Sequence, residues 1–255
     1  MINHEGAYNK MRQAVQRGNP FMFARYGDGE GIVLGYPNET PRDRYVKRLD
    51  KWFGCKGMSD EDLKRFADQV RDSVKHCDLV GVPETRHMHL NSDWRSVLRI
   101  IHAEKLLHSG QEICGMDSVL WIQRQRWIPK LIQGVERLCC ITCRDVRKEL
   151  RRTCHELKEI EFFYLPPQLK PLVGPDMANG LKHWPTLFSA MPRWLDQHCR
   201  PGQVFFIGAG GAGKIYAKMV KERGGVALDV GSLFDGWAGK LTRTHIKNEI
   251  DTWRL

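Results

Sequence analysis

Gln203-Val204-Phe205-Phe206-Ile207-Gly208-Ala209-Gly210-Gly211-Ala212-Gly213-Lys214 decides the fold. A short apolar run ends in a glycine turn, and the helical pattern 215–223 follows. The next apolar run, 226–230, has the acid Asp229 at its end. Strand, tight turn, helix and second strand form the unit from which parallel sheets are built. Gly208, Gly210 and Gly213 fit G-x-G-x-x-G, and Gly211 lies in the same turn. Backbone N–H groups at the positive end of a helix dipole suit a phosphate. Asp229, about 20 residues on, is placed to bond a ribose hydroxyl. The alternative is a tight turn whose glycines serve packing only. Lys214 is not a P-loop lysine, because Ile215 stands where Ser or Thr belongs.

The same alternation continues outward. Apolar runs at 21–26, 79–83, 112–116, 138–143 and 160–165 are separated by helical patterns. These include 4–17, a helix opened by Ser59-Asp60-Glu61-Asp62, 93–107, a helix from Asp117-Ser118 carrying Leu120, Trp121, Trp127 and Leu131, and 181–198. About seven strands alternating with helices predict a mostly parallel, doubly wound, Rossmann-like α/β sheet. The Pro-rich stretch 166–175 is the best candidate break, yet it is short enough for a crossover. A single domain over 1–255 is the expectation, with 241–255, including Arg243-Thr244-His245-Ile246-Lys247, as a solvated basic tail.

Phe21-Met22-Phe23-Ala24-Arg25-Tyr26 runs straight into Gly27-Asp28-Gly29-Glu30-Gly31. Strand-end loops are where α/β proteins place their chemistry. Two carboxylates one residue apart, flanked by glycines, can hold a hard divalent cation against phosphate oxygens. The alternative is a turn chosen for its backbone angles, with both acids solvated.

Composition sets bounds. Lys and Arg number 40 against 30 Asp and Glu, a net charge of +10 over 255 residues, which suggests an anionic partner. No apolar stretch approaches a membrane span, and the N-terminus lacks the blocks of a secretory signal, so a cytoplasmic address is expected. Cys139, Cys140, Cys143, Cys154 and His155 match no zinc spacing, and 138–143 reads better as a strand with buried thiols. His87 and His89, after the strand at 79–82, would face one sheet edge and could meet phosphate or acceptor. Arg124 and Arg126 between Trp121 and Trp127 read as solvated charges beside core aromatics that do not share one face.

Together the two glycine corners carry a resemblance. Arg25-Tyr26-Gly27-Asp28-Gly29-Glu30 resembles the R-[FY]-G-D-G-E signature of GT-D-type glycosyltransferases, which contains their D-x-E metal motif. Ile207-Gly208-Ala209-Gly210 and Ala227-Leu228-Asp229-Val230-Gly231-Ser232 resemble that family's closing glycine turn and A-x-D-x-G strand end. Ser232 departs from the pattern, where His is frequent. The resemblance implies transfer of a sugar from a nucleotide-sugar donor, a UDP-sugar first, with Mn²⁺ or Mg²⁺ at Asp28 and Glu30. Arg25 would partner phosphate or Asp28; Gly27, Gly208, Gly210, Gly211, Gly213, Lys214, Asp229 and Ser232 would surround the donor.

For the general base, Asp117 is a candidate, with a helix N-cap as its ordinary role. The acceptor is open: a glycan, a carrier-lipid-linked saccharide reached by peripheral membrane contact, or a modified nucleic acid. Two other functions compete. One is an NAD(P)-dependent oxidoreductase built on 204–229; the other is a basic nucleic-acid-binding module.

Overall fold

The computed structural model of the chain describes residues 1–54, 57–89, 92–167, 177–240, 242 and 250–255. Seven strands form one sheet: β1 (Phe21–Arg25), β2 (Leu79–Val82), β3 (Glu112–Gly115), β4 (Arg137–Thr142), β5 (Glu159–Tyr164), β6 (Val204–Ile207) and β7 (Val226–Asp229). Every neighbouring pair is parallel, in the order β3-β2-β1-β7-β6-β4-β5. The expected doubly wound sheet is therefore observed, and its strands are parallel throughout.

The central strands read as unbroken apolar runs because both of their faces are covered. Alternate residues serve opposite layers. Met22, Val80, Cys139, Ile141, Phe205 and Ala227 face one layer. It includes α2 (Asp28–Leu34), α3 (Arg42–Phe53), α4 (Asp60–His76), α6 (Ser92–Ala103), α10 (Phe188–His198) and α11 (Ala212–Glu222). Phe23, Leu79, Cys140, Phe206 and Leu228 face the other. It includes α1 (His4–Arg17), α7 (Ser118–Arg124), α8 (Ile128–Leu131), α9 (Arg147–Thr153), α12 (Leu233–Trp237) and α13 (Ile250–Trp253). The cysteine-rich run is thus a buried strand with Cys139 and Cys140 on opposite faces, and burial pushes the Cys139 thiol up to about 12.

Several local expectations are corrected. The acidic turn at 27–31 is the start of α2: Gly31 N–H donates to Gly27 O, and Glu30 Oε2 accepts from Gly27 N–H, closing the first turn. The pattern 181–198 is broken near its start. Trp184 is extended (φ −101°, ψ 134°), as the residue before Pro185 prefers, and a wide turn at His183–Leu187 precedes α10. The helix from 118 also breaks, with Arg126 at φ 56° between α7 and α8. That break lets Trp121 and Trp127 meet edge to face at 5.2 Å, against the reading that they do not share a face. Of the basic stretch near the C-terminus, 241 and 243–249, with Arg243 to Lys247, lie outside the described residues. Trp253 is fully buried, and the Gln123 side chain donates to the carbonyls of Thr252 and Arg254.

The chain runs β1, β2, β3 toward one edge, then crosses to build the other half and returns through β6 and β7 beside β1. The C-terminal ends of β1, β7 and β6 therefore flank the point where strand order reverses. Open α/β sheets bind ligands in the crevice at such a point.

Candidate active site

Both glycine corners open into one cavity of about 420 Å³ at that crevice. Arg25, Gly27, Asp28 and Glu30 line it from β1 and α2; Gly208, Gly210 and Lys214 from the β6–α11 turn; Asp229 and Ser232 from the end of β7. Among the expected site residues, Gly211, Gly213 and Asp117 are outside this lining.

Four charges join the two corners. Arg25 N–H donates to Asp229 Oδ2 at 3.2 Å, and its Nη2 lies 3.4 Å from Oδ1. Lys214 Nζ lies 2.9 Å from Asp229 Oδ2 and 3.0 Å from Glu30 Oε1. Glu30, Lys214 and Asp229 are all buried. Burial alone would push Lys214 down toward neutrality. The Asp229 and Glu30 carboxylates outweigh it, so its pKa is raised. Burial likewise disfavours the Asp229 anion, but the Lys214 and Arg25 charges hold that carboxyl below its ordinary value.

Gly231 has a structural reason to be glycine. At φ +52°, a Cβ there would lie 1.8 Å from Arg25 Nη2. The strand end Asp229-Val230-Gly231 thus anchors the arginine with its acid and makes room for it with its glycine. Arg25 also keeps a solvent-shielded Nε with no hydrogen-bond partner among the described residues. The Arg25 guanidinium as a whole lines the cavity, where its charge suits an anionic oxygen.

The glycine turn is only partly open. Trp52, on α3, lies across it: a Cβ on Gly211 would meet its ring at 2.2 Å, and one on Gly29 at 2.3 Å. Gly211 thus seats an indole, as the packing alternative for that turn holds, and Gly29 does so from the other corner. Gly213 N–H is taken by the carbonyls of Ala209 and Gly210. The amides of Ala209, Gly210 and Ala212 donate to no carbonyl among the described residues, which leaves donors at the start of α11. Sequence reasoning missed α3 altogether, including Arg48, whose Nη2 lies 3.5 Å from Asp28 Oδ2 and whose guanidinium sits over Trp52. The spacing of Tyr45, Leu49 and Trp52 was the available helical signal.

His183 was also missed. It lines the cavity and pairs through Nε2 with the Tyr216 hydroxyl at 2.6 Å. Burial drives its pKa down to about 3, so it is neutral near pH 7.

Asp117 is not bonded as an N-cap: its side chain makes no cap hydrogen bond. Its carboxylate accepts instead from His87 Nε2 at 2.9 Å and Arg86 Nη2 at 3.0 Å. His87 and His89 do not face one edge, because they sit at the end of a short helix, α5 (Thr85–Met88). His87 is buried and His89 exposed.

Glu84, His87 and Asp117 bring metal-type ligand atoms within 4.8 Å of one another. Glu84 N–H, however, donates to His87 Nδ1, so Nε2 carries the ring proton. Arg86 already bridges both carboxylates. The cluster is satisfied internally, and its imidazole has no lone pair left for a cation.

The D-x-E pair meets a divalent ion unequally. Glu30 has one oxygen on Gly27 N–H and the other on the Lys214 ammonium, a cation already in place. Asp28 is half exposed, with the long Arg48 contact as its one ion pair among the described residues. As a pair the two do not fit a shared metal; Asp28 alone is open to one.

Fold and cleft define a doubly wound α/β protein with a cavity at the reversal of strand order. Residues 2–114 match the model of the GT-D fold-like domain, which bears out the resemblance. The matched stretch contains Arg25 to Glu30. Two solved structures share the fold. "Selenomethionine substituted structure of domain of unknown function 1792 (DUF1792)" is 10% identical, with TM-score 0.55, over 92% of this chain and 80% of that one. "The highly conserved domain of unknown function 1792 has a distinct glycosyltransferase fold" is 9% identical, with TM-score 0.52, over 90% and 77%. No curated protein matches the chain. No helix among the described residues is long and apolar enough to cross a membrane.

Proposed function

We propose that the chain is a glycosyltransferase whose donor is a nucleoside-diphosphate sugar, bound across the two glycine corners. The observation that carries this reading is the Arg25–Asp229–Lys214–Glu30 cluster, which ties the GT-D-like motif to the glycine turn around one cavity. Breaking a sugar–phosphate bond develops negative charge on the leaving diphosphate, and fixed positive groups lower that barrier. The Arg25 guanidinium on the cavity lining and the open amides at the start of α11 supply such groups. A Mn²⁺ or Mg²⁺ ion held by Asp28 would add Lewis-acid charge when bound. Asp229, engaged by two cations, holds the cluster together in this reading and does not meet the ribose.

The donor of first choice is a UDP-sugar, and the acceptor is a glycan, a carrier-lipid-linked saccharide or a modified nucleic acid. Asp117 as general base would act from outside the cavity lining, held by His87. The site, one domain over 1–255 and a cytoplasmic address make up the rest of this reading.

A thermal-shift panel of UDP-, GDP-, TDP- and CMP-sugars and NAD(H), with and without Mn²⁺, tests it. A ligand that binds only the native state raises the melting temperature by mass action. One nucleotide-sugar class should stabilise the protein. A shift with NAD(H) alone would favour the oxidoreductase reading and overturn this one.

A further inference from the structure

The position of Lys214 has a consequence for the metal. The residue stands in the first turn of α11, an eleven-residue helix, where the dipole disfavours a cation. Its ammonium is buried all the same, because it lies between Glu30 Oε1 at 3.0 Å and Asp229 Oδ2 at 2.9 Å, with Gly210 O at 3.4 Å. These are ammonium–carboxylate distances, and they bring together acids from opposite ends of the chain. With Arg25 also on Asp229, two acids face two bases, and the cluster is neutral with no ion added.

We infer that the Lys214 ammonium occupies the place of a divalent cation between Glu30 and Asp229. Glu30 is then not a metal ligand in the resting protein, and removing the ammonium exposes a divalent-cation site. A metal on Glu30 Oε1 would have to share that oxygen with the ammonium, and like charges disfavour this. Without the ammonium, Glu30 and Asp229 offer two carboxylates, the hard oxygen ligands that Mn²⁺ and Mg²⁺ take. The inference concerns metal binding by the resting chain, and it holds or fails independently of the donor and of any transfer activity.

Mn²⁺ titration of the full-length chain, followed by the paramagnetic resonance signal of the free ion, tests it. In the wild-type background, Glu30→Gln should leave Mn²⁺ binding unchanged. Lys214→Ala should tighten binding by about tenfold or more. Glu30→Gln in the Lys214→Ala background should reverse that gain. Mn²⁺ should also raise the melting temperature of Lys214→Ala more than that of wild type.

A loss of wild-type Mn²⁺ binding on Glu30→Gln would overturn the inference. So would a folded Lys214→Ala protein that binds Mn²⁺ no better than wild type. If Lys214→Ala does not fold, Glu30→Gln alone decides, since it leaves Lys214 its bond to Asp229.

Discussion

Asp229→Ala is expected to destabilise the protein by about 3–5 kcal/mol, because it strands Lys214 and Arg25 beside the core with one fewer acid. Removing one member of a buried ion cluster costs far more than the cluster's net contribution to stability, since the remaining charges lose compensation but stay desolvated. Lys214 would keep Glu30, and Arg25 would lose its carboxylate altogether. Asp229→Asn should cost less, since an amide oxygen can still accept the Arg25 N–H. Equilibrium denaturation in urea provides the comparison. A loss below about 1 kcal/mol for Asp229→Ala would mean that the four charges are not a buried unit.

The second large effect is on acid stability. The His183 pKa falls from its ordinary value of 6.5 to about 3 in the folded protein, through burial. In the unfolded chain the ring takes up its proton as pH drops through 6.5, whereas in the folded protein it does so only near 3. The unfolded state thus binds more protons in that window, and folding stability falls with falling pH. The contribution is fully present above 6.5 and is lost by about pH 3, up to roughly 4–5 kcal/mol in all.

His183→Gln removes the titrating group while keeping a polar partner for Tyr216. Between pH 6.5 and 4 the wild type should lose roughly 3 kcal/mol more stability than this variant. Parallel stability curves for the two proteins would show that His183 is not the buried neutral group described. Asp229 acts in a lower window: its folded pKa lies below the ordinary 3.8, so its contribution is lost only as pH falls beneath that value.

The sheet was legible because parallel strands buried on both faces leave continuous apolar runs, and all but 138–143 ended at glycine, proline or an acid. Both corners of the site were legible for the same reason. The pairing of those corners was not. Arg25 and Asp229 lie 204 residues apart, and only the strand order, with β7 inserted beside β1, brings them together.

Lys214 could be flagged as a poor P-loop lysine, but no local pattern shows that it reaches the carboxylate of the D-x-E motif. Trp52 and Arg48 were missed because α3 follows the acidic motif with no strand to mark it. That helix nonetheless covers the glycine turn and narrows the phosphate reading to the amides that remain open. His183 gave no signal either, since a wide turn before a Pro-bearing helix has no simple periodicity.

The central claim is that the cavity between the two motifs binds a nucleoside diphosphate through Arg25. Calorimetric titration of UDP into wild type and Arg25→Ala tests it most directly. UDP should bind the wild type, and the variant, still folded because Lys214 keeps Asp229 paired, should bind about 10–100-fold more weakly. Equal affinity for the two proteins would place the nucleotide elsewhere and contradict the account.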